Sequence, residues 1–177
     1  MSFNFSLKTG DDEQIYRDII PQVKQLLDKD DHWVTNFSNL TALLKQAFEK
    51  ISWIGFYLFD GEKLILGPFQ GKIACTVIQP GRGVCGTAAQ KKETIVVKDV
   101  HQFPGHIACD DGSNSEIVIP LIRDGELIGV LDLDSYNLNA FDAKDKHYLE
   151  EICVFLCEEI LNEERLINKN TSYGNRL

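Results

Sequence analysis

Residues 52–71 read SWIGFYLFDGEKLILGPFQG, and this stretch decides the fold. Apolar and aromatic side chains recur with a period of two on either side of Asp60 and Gly61, the pattern of two strands joined by a hairpin built on an Asp-Gly turn. Upstream the period is helical. Residues 11–30 space Ile15, Ile19, Val23, Leu26 and Leu27 along one helix face behind an acidic first turn, with Pro21 either starting or kinking the helix. Residues 32–50 place Val34, Phe37, Leu40, Leu43, Leu44, Ala47 and Phe48 three and four apart, and Asn36, Ser38 and Asn39 leave the start of that helix open.

Downstream, residues 73–78 form a third extended segment. Residues 80–92, PGRGVCGTAAQKK, read as a glycine-rich turn leading into a short helix with Cys85 near its N-terminal end. Backbone N–H groups and the helix dipole there favour a thiolate or a bound anion. Residues 94–100, TIVVKDV, give a fourth strand. The polar connection after it, HQFPGHIACDDGSNS, holds Cys109, and loops of that length in compact domains commonly carry function. Residues 115–122 and 127–135 make a second hairpin, and Asp142 caps a long C-terminal helix with Leu149, Ile152, Cys153, Phe155, Leu156, Ile160 and Leu161 on its apolar side. The expected fold class is α+β: one domain over 1–177, a central antiparallel sheet of about six strands with N- and C-terminal helices packed on it, and flexible ends at about 1–10 and 168–177.

A net charge of -9 repels phosphate backbones and anionic lipid, which argues against nucleic acid as a partner. No run approaches the roughly 20 apolar residues of a membrane span, and the N-terminus lacks the pattern of a signal peptide, so no membrane partner and a cytoplasmic location are expected. Five cysteines in such a chain do not make a structural disulfide framework. Cys75, Cys85 and Cys109 each sit beside glycine, proline or a helix start, where a sulfur is expected to be accessible, so the choice lies between redox and metal chemistry. His106 and Cys109 with Cys75 and Cys85 suggest zinc. Paired C-x-x-C knuckles are missing, however, so no metal is expected. The glycine-rich turns lack a G-K-[ST] ending, so no nucleotide cofactor is implied and no cofactor of any kind is expected. Asp132 and Asp134 alternate with Leu131 and Leu133, which puts both acids on one strand face. That is costly unless they bind a cation or share a proton. Trp53 and Tyr57, four apart, also share a face.

The segments GPFQGKIAC, GVCGTA and PGHIACD, in this order and followed by GVLDLDS, resemble the free methionine (R)-sulfoxide reductases, which are built on the GAF fold. The resemblance runs from about Trp53 into the final helix. It implies thiol-dependent reduction of free L-methionine (R)-sulfoxide, with Cys109 as nucleophile, Cys75 as the resolving thiol and Cys85 as a possible second resolving thiol. It implies too that Trp53, Tyr57, Glu116, Asp132 and Asp134 bind substrate, leaving open which carboxyl is the acid. A thioredoxin-type reductant and a possible homodimer are further implications. Cys153 and Cys157 lie outside the matched segments and read as small buried hydrophobes. The alternative reading is a GAF ligand-binding or redox-sensing module without turnover.

Overall fold

The computed structural model describes residues 10–105 and 112–161. The Cys109 segment, with His106, Asp110 and Asp111, lies outside the described residues, as do the chain ends apart from Gly10. Helices α1 (Asp12–Leu26) and α2 (Trp33–Ala47) precede strands β1 (Trp53–Phe59), β2 (Leu64–Gln70) and β3 (Val77–Ile78). Helix α3 (Gly83–Lys91), strand β4 (Ile95–Val97) and a 3-10 turn (Val100–Gln102) come next. Strands β5 (Ser115–Arg123) and β6 (Glu126–Ser135) follow, then helix α4 (Ala143–Phe155), which runs on into a π-helical turn (Leu156–Ile160).

The six strands form one sheet in the order β3-β2-β1-β6-β5-β4, antiparallel at every pairing. The period of two then sorts the side chains. Ile54, Phe56, Ile117, Ile119, Leu121, Leu131 and Leu133 point to one face, where they pack against Ile19, Val23, Phe37, Leu40, Leu44, Leu149 and Ile152 of α1, α2 and α4. Phe37 stacks on Phe56 at 4.0 Å between ring centroids. Each such side chain contributes roughly 1.5–3 kcal/mol by leaving water, so this face supplies the main apolar core. The opposite face carries Trp53, Tyr57, Val118 and Val130 and is covered by α3 through Val84, Cys85, Ala88 and Ala89.

Pro21 lies inside α1 on its exposed side, so the helix continues through it rather than starting there. Asn36, an unpromising helix residue, uses its side chain to bond the Asp28 backbone in both directions and fixes the α1–α2 connection. Lys50 donates to Asp12 (2.6 Å), Asp145 (2.6 Å) and the Ala140 carbonyl (3.0 Å), while Tyr16 donates to Asp145 (2.8 Å), so one largely buried ammonium ties α1 to the start of α4. Asp142 caps α4 as expected, in a reciprocal box with Asp145.

Two local expectations are corrected. The β1–β2 turn is a four-residue loop in which the Asp60 carboxylate accepts from the Glu62 and Lys63 N–H groups, rather than a two-residue Asp-Gly turn. The two-residue turn belongs instead to the second hairpin, where Asp124 and Gly125 both have positive φ. The third extended segment shrinks to Val77–Ile78, because the backbone of residues 71–76 is drawn over the α3 side of the sheet by Trp53 and Tyr57.

Candidate active site

The site is built on three neighbouring strands. In the β1–β6–β5 register Trp53 lies opposite Asp134 and Asp134 opposite Glu116, while in an adjacent row Gly55 lies opposite Asp132 and Asp132 opposite Val118. Two aromatic residues and three carboxyls from three strands therefore project on the same face. They line a cavity of about 50 Å³ together with Ile73, Ala74, Ile78, Arg82, Gly83, Val84, Cys85 and Ser113. Gly55 makes room for this: a Cβ there would meet the Trp53 ring at 2.3 Å, so only glycine lets the indole lie across the strand against Phe69, 5.6 Å away between centroids. Trp53 and Tyr57 rings lie 6.1 Å apart. Their polar tips turn to the loop above, the Trp53 indole N–H donating to the Lys72 carbonyl (3.0 Å) and the Tyr57 hydroxyl to the Cys75 carbonyl (3.0 Å). The walls of the cavity thus also hold the backbone that carries Cys75.

Cys75 is disulfide-bonded, whereas Cys85, Cys153 and Cys157 are free. Cys85 overturns the expectation of an accessible, thiolate-favouring position. It is 4 % exposed, packed between α3 and the sheet, with Sγ 4.0 Å from Glu116 Oε1. Burial, followed by the charges of Asp132 and Glu116, pushes its thiol well above the ordinary range. Neighbouring carboxylates outweigh the helix N-terminus, which the sequence could not reveal because the acids arrive from another element. Cys153 and Cys157 are buried, as expected, where α4 meets the core.

Burial pushes the Asp132 carboxyl up to about 6, against hydrogen bonding with Cys85 and Glu116 that pulls it down. Glu116 is raised well above its ordinary value by burial first, then by the Asp132 and Asp134 charges and its hydrogen bond with Asp132. Every influence on Glu116 acts in the same direction, so of the two carboxyls it keeps the proton and Asp132 ionises first. One oxygen of Asp132 and the Ser113 hydroxyl are buried without hydrogen-bond partners, and both residues line the cavity. Orphaned buried polar atoms of this kind cost about 1–3 kcal/mol each, and at these two positions a ligand in the cavity would satisfy them. Cys85, Glu116 and Asp132 each offer an atom within 4.8 Å of the others, the spacing of a group able to hold a cation.

The structure thus brings together Trp53, Tyr57, Cys85, Glu116, Asp132 and Asp134, with Cys75 on the adjoining loop, while Cys109 lies outside the described residues. Arg82 and Ser113 were not anticipated. Arg82 is an exposed loop residue by composition, and Ser113 shares a polar run, DDGSNS, in which nothing distinguishes one hydroxyl from its neighbours.

A GAF domain family profile matches residues 38–154. The GAF domain-containing protein A of Dictyostelium discoideum is 49% identical over 157 residues, 88% of this chain and 99% of that protein. The free methionine-R-sulfoxide reductase of Saccharomyces cerevisiae is 45% identical over 158 residues, 81% of this chain and 88% of the yeast protein. Among solved structures, the free methionine-R-sulfoxide reductase from Neisseria meningitidis in complex with its substrate superposes with a TM-score of 0.85 at 43% identity, covering 96% of this chain and 98% of that one. The fold of this chain is thus that of the Neisseria reductase over nearly its whole length, and the chain belongs to the GAF domain family, among the free methionine-R-sulfoxide reductases.

Proposed function

We propose that this protein reduces free L-methionine (R)-sulfoxide to methionine in the cavity above β1, β5 and β6. The observation that carries the reading is the meeting of two buried carboxyls, Glu116 and Asp132, both raised by burial, in a cavity whose other wall is aromatic. A sulfoxide oxygen leaves only when it is protonated as a thiolate attacks the sulfur, so the chemistry needs an acid that survives at neutral pH. Glu116 fills that role. Asp132, with its unpartnered oxygen, and Asp134 accept from the substrate ammonium, while Trp53 and Tyr57 enclose the methyl and sulfur. Arg82, the first N–H groups of α3 and the orphaned Ser113 hydroxyl form the opposite, carboxylate-binding side, and the two poles together favour a free amino acid over a peptide-bound residue.

In this reading the Cys109 thiolate attacks sulfur as Glu116 protonates the sulfoxide oxygen, and the new sulfur–sulfur bond then breaks as the OH group passes to Cys109, leaving methionine and a sulfenic acid on Cys109. The Cys75 thiol then displaces water to form a disulfide. That Cys75 is disulfide-bonded while Cys85 stays free and walled in by carboxyls supports Cys75 as the resolving thiol. A thioredoxin-type dithiol restores both thiols by exchange, in a reducing, cytoplasmic setting. Turnover measured with a dithiol reductant on free R, free S and peptide-bound methionine sulfoxide tests the assignment. The R form of the free amino acid is expected to be consumed and the other two spared; ligand binding with no turnover would leave only a sensory module.

A further inference from the structure

Cys85, Glu116 and Asp132 form a compact buried triad at the floor of the cavity, and nothing assigned to the site accounts for a thiol among its acids. We propose that this triad is a reversible binding site for a thiophilic divalent cation of the zinc class, occupied in competition with substrate. Three observations support it. One ligand atom from each residue lies within 4.8 Å of the others, and all three residues are buried. Asp132, 6 % exposed, has an oxygen shielded from solvent without a hydrogen-bond partner, which a coordinated cation would satisfy. The donor set is one sulfur and two carboxylates.

That set discriminates among metals. Calcium and magnesium take oxygen ligands throughout, so a thiolate in the triad disfavours them, whereas zinc accepts sulfur and oxygen together. A Zn–S and a Zn–O bond end to end span about 4.3 Å, so small side-chain rotations close the triad from its observed spacing around one ion. The cavity then lies at the fourth coordination position and supplies water. As the ion binds, the Cys85 thiol proton and the proton held by Glu116 both pass to buffer, and nothing is oxidised or reduced. This triad differs from the set weighed and set aside in the sequence, His106 with Cys75, Cys85 and Cys109, and shares only Cys85 with it. Because Cys75 is already disulfide-bonded while Cys85 is free, the site exists in the oxidised form of the protein. Its competition with substrate rests on the reading of the cavity given above; the cation site itself does not.

Titration of the oxidised protein with Cd²⁺, followed by the ultraviolet thiolate-to-cadmium charge-transfer absorption, tests the site, with Zn²⁺ affinity measured against a chromophoric chelator. One equivalent is expected to saturate the wild type, Cys85→Ser to abolish the absorption, and Asp132→Asn, a near-isosteric change whose folding is checked by circular dichroism, to weaken binding at least about tenfold. Absence of saturable binding in the wild type, or absorption that persists in Cys85→Ser, overturns the proposal. Free methionine sulfoxide is expected to lower the apparent affinity for both ions. Saturable Cys85-dependent binding that the sulfoxide leaves unchanged supports the cation site and removes the substrate reading. Enzyme turnover with no saturable metal binding removes the cation site alone.

Discussion

At the residue scale the account depends on Asp132. Its carboxyl rises from 3.8 to about 6 in the folded chain, so the native state binds that proton more tightly than the unfolded one. The sign follows: this contribution to stability is complete below about pH 4 and is lost as pH rises through about 6. Asp132→Asn removes the buried charge, and melting curves should show it more stable than wild type at pH 7, by on the order of 2 kcal/mol, with the slope between pH 4 and 6 reduced. Activity should move the other way. KM for free methionine sulfoxide should rise as pH falls through about 6, because protonated Asp132 no longer attracts the ammonium, and Asp132→Asn should show a high KM at every pH. A KM that is flat through this range in the wild type would remove Asp132 from substrate binding.

At the scale of elements, the strand period sorts the side chains of the site by face. Alternation of Asp132 and Asp134 with Leu131 and Leu133 put acids on one face and core on the other, and the four-residue spacing of Trp53 and Tyr57 put both rings on one face, which the β1–β6 register makes the face of the acids. What alternation could not show was what crosses the sheet. The burial of Cys85 depends on which helix covers that face. The shortening of β3 depends on the Trp53 and Tyr57 side chains capturing carbonyls of Lys72 and Cys75. Gly55 lies where these two levels meet. Gly55→Ala should displace the indole, release the Lys72 carbonyl and lower kcat/KM at least about tenfold, with a stability cost of about 1–3 kcal/mol from overpacking. Gly61, with φ of +102° and open space around it, is the control. Gly61→Ala should cost about 1–2 kcal/mol of stability by backbone strain alone and leave KM unchanged, as steady-state kinetics beside urea unfolding will show.

At the scale of the molecule, one sheet carries two apolar layers, a larger one under α1, α2 and α4 and a smaller one under α3. Each layer holds one of the two tryptophans, Trp33 beside the first and Trp53 in the second. If residues 1–177 fold as one domain, both layers unfold together, since β1, β4, β5 and β6 serve both. Trp33→Phe and Trp53→Phe, each leaving a single fluorescent reporter, should give urea midpoints that coincide with the circular dichroism of the same variant. A reporter that melts ahead of the circular dichroism would divide the chain into separate cooperative units. The α+β class and the sheet of six antiparallel strands were legible because hairpin turns and period changes are local signals. The two-sided coverage was not, because α3 is a short helix whose packing through Val84, Cys85, Ala88 and Ala89 depends on the strand face it meets, Val118 and Val130 among it, and not on its own sequence alone.

The central claim is that this cavity performs one cycle of sulfoxide reduction using Cys109 and Cys75. The most direct measurement adds free L-methionine (R)-sulfoxide to the reduced protein after the reductant is removed, then counts methionine and maps the disulfide left behind. The account predicts one methionine per chain and a bond between Cys75 and Cys109, with Cys109→Ser forming none and Cys75→Ser completing the first reduction but failing to recycle. Absence of methionine from the wild type, or a disulfide that engages Cys85, would contradict it.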